Sequence, residues 1–336
     1  MRLAEENTID YGSAILSAFE YLMRTYPDVF VIGQGLWSPW YVGNSMTDLD
    51  KKFGIDRVID TPVSESACTG AAVGASLAGM RPIVVHPRLD FMLYAMDSIV
   101  NQAAKWSHMM GGQAHPSVTV RGIINRGGEQ GAQHSQALHS WFAHIPGLRV
   151  VMPSTVEDAR DLLIASVISN DPVIYIDDRW LYDQVDTVGP VRELSLREEG
   201  PKIQRYGSDI SIIASGYSTY LCTQAADILA LEGISVEVVD MRVINPIKAE
   251  PLINSVRKTG MMIAVDGGWK TCGLSAEIIA SVVESVDVTS LSSTPKRITL
   301  PSAPAPSSRI LESNYYPDVN RIVSTIRESV EGSYTS

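Results

Sequence analysis

Cysteine is scarce in this 336-residue chain: Cys68, Cys222 and Cys272 form no C-x-x-C pair, and three widely spaced thiols leave no even disulfide set. That usage fits a reducing compartment. An excess of basic charge is missing too. Lys and Arg number 27 against 38 Asp and Glu, a formal net charge of -11, and no dense basic run offers a footprint for a phosphate backbone. Nucleic-acid binding is disfavoured. Nor does any stretch approach the roughly 18 uninterrupted apolar residues of a membrane span. The opening segment, residues 1–7, lacks the apolar core of a secretory signal. A cytoplasmic protein with no membrane partner is expected. Apolar sequence, by contrast, makes up 45% of the chain, which argues against disorder. At roughly 100 to 200 residues per domain, the length suggests two domains.

Short β-branched runs alternate with longer amphipathic or small-residue stretches. VFVIG at 29–33, RPIVV at 81–85, SVTVRG at 117–122 and PVIYID at 172–177 read as strands. The alternation predicts an α/β fold, a parallel sheet with helices on both faces. From Asp183 to Gly207 the pattern breaks into Gly189-Pro190, Gly200-Pro201 and mixed charge, as an exposed linker would. The division expected is a first domain over 1–185, a linker over 186–206 and a second α/β domain over 207–336. In the second, DISIIASG at 209–216, ISVEVVDMR at 234–242, MMIAVDGG at 261–268 and KRITLP at 296–301 read as strands, each followed by a helix. The prolines of PSAPAPSS at 301–308 exclude a helix there.

Two segments carry chemistry. DTPVSESACTGAAVGASLAG at 60–79 reads as a strand end, a Pro turn and a small-residue helix, whose glycines permit close approach of another backbone. Glu65 opens that helix, where free N–H groups favour a carboxylate, so it reads either as a plain first-turn acid or as a functional one. The second is the polar Gly-rich loop Gly127–Gln136, placed after a buried strand, where α/β proteins bind ligands. Its His134 is either an acid, base or hydrogen-bond donor, or a surface histidine satisfied by the loop backbone. His139 and His144 follow at intervals of five, which is not the spacing of a shared helical metal site, and no metal is read there.

DTPVSESACTGAAVGASLAGMRPIV at 60–84, MDSIVNQAAKWSHMMGGQ at 96–113 and GAQHSQALHSWFAHIPGLRVVMPSTVEDARDLL at 131–163, with VEVVDMRVINP and AVDGGWKTCGLSAEI further on, resemble the beta subunits of thiamine-diphosphate-dependent 2-oxo acid dehydrogenases. The resemblance spans nearly the whole chain. It implies a pyrimidine-binding domain followed by a transketolase C-terminal domain. It also implies thiamine diphosphate with Mg2+ as cofactor; a potassium site built from backbone carbonyls near Ser166 to Asp171 occurs in relatives, and since backbone ligands leave no side-chain signature the sequence leaves it open. Glu65 falls on the family's glutamate that hydrogen-bonds the aminopyrimidine ring and so activates the thiazolium carbon. His134, in H-S-Q, falls on the histidine that helps to position substrate or the lipoyl acceptor. Phe91 falls on an aromatic of the pyrimidine pocket. The family's G-D-G motif for diphosphate and metal is missing from this sequence. The resemblance therefore implies a separate alpha subunit that carries it, an α2β2 heterotetramer, and a lipoyl-bearing acyltransferase as a further partner.

Three positions depart from the family. Gln34 stands where an acid is frequent, Val85 ends a strand that commonly ends in an acid, and Arg88 replaces a pocket aromatic, leaving Phe91 to stack alone. With His86, Arg88 is expected to add positive charge to the pocket. Arg88 itself reads as a guanidinium stacked on the cofactor ring, as a fork for a substrate carboxylate or phosphate, or as a solvated loop residue. These departures keep two further functions open beside the dehydrogenase: a split transketolase or carboligase with an anionic acceptor, and a non-catalytic scaffold.

Overall fold

The computed structural model describes residues 7–333. Two compact units divide the chain: the residues up to Arg126 together with Trp141–Glu199, and Gly127–Ser140 together with the chain from Gly200 onward. The segment 127–140, which carries His134, thus clusters with the C-terminal half and apart from its neighbours in sequence.

In the first unit the β-branched runs become β1 (Asn7–Asp10), β2 (Val29–Gln34), β3 (Val58–Thr61), β4 (Arg81–His86), β5 (Thr119–Ile124), β6 (Arg149–Val151), β7 (Val173–Asp178) and β8 (Val185–Val188). A parallel sheet runs in the order β6-β7-β5-β4-β2-β3. Every residue of β5 and β7 is buried, as a parallel sheet covered on both faces requires. Two of its helices start at side-chain caps. Asp10 accepts from Ser13 N at 2.7 Å ahead of helix Tyr11–Thr25, which buries Ile15, Phe19 and Leu22. Thr155 caps helix Val156–Ile168 in the same way.

At the centre of this unit lies a charge that the strand pattern hides. Arg121 on β5 is fully buried and grips Asp177 of β7 through Nε and Nη2, both at 2.9 Å. The same Nη2 reaches Ser45 Oγ at 2.9 Å and Tyr182 Oη at 2.7 Å. A bidentate pair with further hydroxyl acceptors on Nη2 is the form in which a buried ion pair is tolerated, although Arg121 Nη1 is buried without a partner.

The second unit contains β9 (Lys202–Arg205), β10 (Ile210–Ala214), β11 (Val236–Asp240), the short β12 (Val243–Asn245), β13 (Met262–Trp269) and β14 (Lys296–Leu300). Its sheet has the order β14-β13-β10-β11-β9, parallel except for β9, which runs antiparallel to β11. Ile212, Val238, Ile263 and Ile298 of the strands pack with Ala225 and Leu229 of helix Tyr217–Ala230 and with Ile322 and Ile326 of helix Val319–Ser333.

The stretch 183–207 is more ordered than an exposed linker. β8 pairs antiparallel with β1, and β9 edges the second sheet. Between them Arg160 donates to the carbonyls of Gly189 at 2.7 Å and Pro190 at 3.1 Å. Gly and Pro punctuate the segment, but its backbone groups still need partners, and strand edges and arginines supply them. The 301–308 segment is non-helical, as its prolines require. Among the described residues no helix is long and apolar enough to cross a membrane.

Candidate active site

β2 lies between β3 and β4, pairing Gly33 with Asp60 on one side and with Val85 on the other. The chain leaves β2 toward β3 and leaves β4 toward β5, in opposite directions along the sheet. The carboxyl ends of β2 and β4 therefore form a topological switch point, where open α/β sheets leave a crevice for ligands. Glycine is obligatory at 33, because a Cβ there would fall 2.3 Å from the Val85 carbonyl oxygen. Beyond it, Asp60 Oδ1 accepts from the N–H of Gly35 at 2.6 Å and of Leu36 at 3.3 Å, which shapes the loop that presents Gln34.

Three loops converge at this edge. The β2 loop brings Gln34. The turn after β3 brings Val63 and Ser64 and runs straight into helix Glu65–Leu77, so that Glu65 is the first helical residue. The helical turn Leu89–Ala95 after β4 brings Phe91 and, one turn on, Tyr94. Together with Ser66 and Ala67, these side chains line a cavity of about 770 Å3, a size that suits a cofactor. Glu65, Gln34 and Phe91 are thus brought together; Val63 and Tyr94 carried no signal in the sequence. Gln34 Oε1 is buried without a hydrogen-bond partner. A narrow second cavity of about 10 Å3, large enough for about one water molecule, lies among Gln34, Thr61, Glu65, Cys68, Val85 and His86.

His86 does not add positive charge at neutral pH. Its ring is buried, with Nε2 3.2 Å from Thr69 Oγ1, and burial pushes its pKa down to about 4. Arg88 lines neither cavity. It is not a solvated loop residue either: it is half-buried, Nη1 donates to the Pro87 carbonyl at 2.8 Å, and Nε is shut off from solvent without a partner. Burial and then the nearby Arg179 cation hold its pKa below the ordinary arginine value.

His134 belongs to the second unit, in a loop with left-handed backbone at Gly127, Gly128, Glu129 and Gly131. Its N–H faces the Gly131 carbonyl at 3.4 Å. Five residues on, His139 is fully buried, with Nε2 2.9 Å from Asp266 Oδ1 on β13. Spacing rules missed this pair because its members stand 127 residues apart. Among the described residues no group of three or more His, Cys, Asp or Glu side chains could hold a metal ion.

Comparison with known proteins agrees with this architecture. Residues 7–184 match the transketolase pyrimidine-binding domain, and residues 200–322 match the transketolase C-terminal domain. The pyruvate dehydrogenase E1 component subunit beta of Bos taurus is 33% identical over 308 residues, covering 91% of this chain and 82% of the relative. The beta subunit of acetoin:2,6-dichlorophenolindophenol oxidoreductase of Cupriavidus necator is 36% identical over 334 residues, covering 95% and 96%. Among solved structures, an inactive beta4 tetramer of a split-gene transketolase superposes with a TM-score of 0.75 at 20% identity, over 97% of this chain and 99% of that one, a likeness of fold. The chain belongs to the thiamine-diphosphate-dependent, transketolase-type family of beta subunits that includes the E1 beta subunits of pyruvate dehydrogenase.

Proposed function

We propose that this chain is the beta subunit of a thiamine-diphosphate-dependent 2-oxo acid dehydrogenase. It works in the cytoplasm with an alpha subunit in an α2β2 heterotetramer and delivers an acyl group to a lipoyl-bearing acyltransferase. The observation that carries the reading is the convergence of Glu65, Gln34 and Phe91 on one cavity at the switch point of the sheet.

The residues present fit an aminopyrimidine. Gln34 Oε1 is a buried acceptor that lacks a donor, and an exocyclic amino group supplies one. Phe91, with Val63, offers apolar surface to a ring. The Glu65 carboxyl can share a proton with a ring nitrogen, because it opens a helix and faces the cavity. When bound, thiamine diphosphate supplies an electron sink that lets a 2-oxo acid lose carbon dioxide. Glu65 then holds or moves the proton at its carboxyl oxygen, the apolar wall excludes water, and His134 acts on the substrate or the lipoyl acceptor. The ligands of Mg2+ and the diphosphate are assigned to the G-D-G motif of the alpha chain. A structural potassium ion among the backbone carbonyls near Ser166 to Asp171 is part of the proposal; in that stretch Arg81 Nη1 donates to Val167 O at 3.0 Å and Ser169 O at 3.1 Å, leaving each carbonyl a second lone pair.

The split-transketolase reading rests on Arg88, which lines neither cavity, and on a neighbour whose likeness is one of fold. The grouping of Glu65, Gln34 and Phe91 speaks against a scaffold. The test is to reconstitute this chain with the alpha chain encoded beside it and to measure carbon dioxide release from a panel of 2-oxo acids. Release coupled to lipoyl acylation is expected; ketol transfer from a sugar donor with no 2-oxo acid turnover would overturn the reading.

A further inference from the structure

We propose that the buried pair His139–Asp266 is a latch that positions the His134 loop, so that His139 is a positioning residue for acyl transfer to the lipoyl group; the kinetic half of this inference rests on the role of His134 given above, taken at the lipoyl acceptor and not at the 2-oxo acid.

The loop cannot order itself. Residues 125–138 contain no helix or strand, and Gly127, Gly128, Glu129 and Gly131 all take left-handed backbone. Such a segment has much conformational freedom to lose, so contacts outside it must fix where His134 stands. Within the second unit it is tied at both ends. Near its start the Glu129 N–H donates to Glu312 Oε2 at 3.0 Å. At its end His139 Nε2 meets Asp266 Oδ1 at 2.9 Å with both side chains fully buried, and Ser140 Oγ accepts from Leu274 N at 2.9 Å.

The Asp266 end of the latch is rigid. Its Oδ1 also accepts from Gly268 N at 2.8 Å, and its Oδ2 from Ser275 N at 3.0 Å in the first turn of helix Leu274–Val283. Burial by itself would raise the pKa of this carboxyl, but His139 and the two backbone donors outweigh it and hold it below the ordinary value, so Asp266 is a carboxylate acceptor at neutral pH. The imidazole is confined as well: a Cβ at Gly268 would lie 3.1 Å from His139 Cε1. His139 Nδ1 is buried without a partner. Its side-chain hydrogen bonding therefore runs through Nε2 alone, and with the Asp266 carboxylate as acceptor that nitrogen is the donor. Removing that one bond should loosen the C-terminal anchor of the loop, with the Glu129 and Ser140 ties still made, while leaving the strands of the sheet in place.

The test compares His139→Gln, which keeps an N–H donor for Asp266, with His139→Leu, which keeps the bulk without one, and adds His139→Ala. Hydrogen exchange on the full chain reads the latch directly. Amides at 129–136 should exchange about tenfold or more faster in the Leu and Ala variants and near the parent rate in the Gln variant, with β10, β11 and β13 unchanged. In the enzyme assembled with its alpha chain, kcat/KM for free lipoamide should fall by about tenfold or more in the Leu variant and recover in the Gln variant. Turnover of the 2-oxo acid with 2,6-dichlorophenolindophenol as electron acceptor should stay within about twofold. Equal exchange in the Leu and Gln variants would overturn the latch, and so would equal losses in both kinetic assays. Should the Ala variant fail to fold, the Gln–Leu comparison still decides. A His134→Ala variant with normal kinetics in both assays would remove the role given to His134, and the exchange experiment would still judge the latch.

Discussion

A single carboxyl, Glu65, carries the proton chemistry proposed for this chain, so its amide is the sharpest probe. Glu65→Gln keeps the shape of the side chain but cannot exchange a proton. Turnover of the assembled enzyme should fall by about 10²- to 10⁴-fold, with deuterium exchange at the thiazolium carbon slowed in parallel and assembly intact. Near-normal exchange would return Glu65 to a plain first-turn acid. His86, behind the same cavity, makes a prediction about stability. Its pKa falls from the ordinary 6.5 to about 4 on burial, so the folded chain resists a proton that the unfolded chain accepts. The sign follows: its contribution is complete above pH 6.5 and is lost as pH drops from 6.5 toward 4. The loss reaches about 3 kcal/mol at 1.36 kcal/mol per pH unit. His86→Gln should remove this dependence, so the difference in urea-unfolding free energy between parent and variant should shrink toward acid pH. A difference that stays constant from pH 7 to 4 would show that His86 is not desolvated.

At the scale of elements, glycines separate close approach from mere permissiveness. Gly33 joins β2 to β4 at the switch point, where a Cβ would meet the Val85 carbonyl oxygen at 2.3 Å. Gly33→Ala must push two paired strands apart, and we expect about 1–3 kcal/mol of destabilisation together with weaker cofactor binding by the assembled enzyme. Gly74, inside helix Glu65–Leu77, is the opposite case: a Cβ there meets nothing within 4 Å in this chain. Gly74→Ala should raise the stability of the isolated chain by about 0.5–1 kcal/mol, because alanine loses less backbone freedom in a helix. Denaturant midpoints for both variants check the contrast, and a destabilised Gly74→Ala would contradict the open helix face.

At the scale of the whole molecule, the cavity of Glu65, Gln34 and Phe91 is what we propose as the aminopyrimidine half of a cofactor site, and the sequence has no G-D-G motif for the diphosphate. Isothermal calorimetry on the purified chain should show weak binding of thiamine diphosphate with Mg2+, and addition of the alpha chain should bring tight binding. Micromolar, Mg2+-dependent binding by this chain alone would sink the two-subunit proposal.

Local chemistry was legible in the residues themselves. The eight strands named from β-branched runs appear within two residues or so at each end, because a buried parallel strand needs a continuous apolar run whatever surrounds it. Helix Glu65–Leu77 begins at the acid that follows the Pro turn, and Glu65 and Phe91, singled out through strings that resemble a family, both line the large cavity. What depends on partners distant in sequence was not legible. Arg121 sits in an apolar strand because Asp177, 56 residues on, lies beside it. His86 looked like a positive charge until burial made it neutral. Arg88 looked like a pocket residue by its place in a motif, but the chain turns it toward Pro87 and Arg179. The loop with His134 reads as part of the first half, yet His139 ties it to Asp266, 127 residues away. Periodicity and capping are short-range properties of neighbouring residues, and so sequence alone determines strands, helix starts and their apolar faces. Charge state, hydrogen-bond partners and the unit to which a loop belongs depend on which distant groups share a desolvated space, and only the tertiary structure decides that.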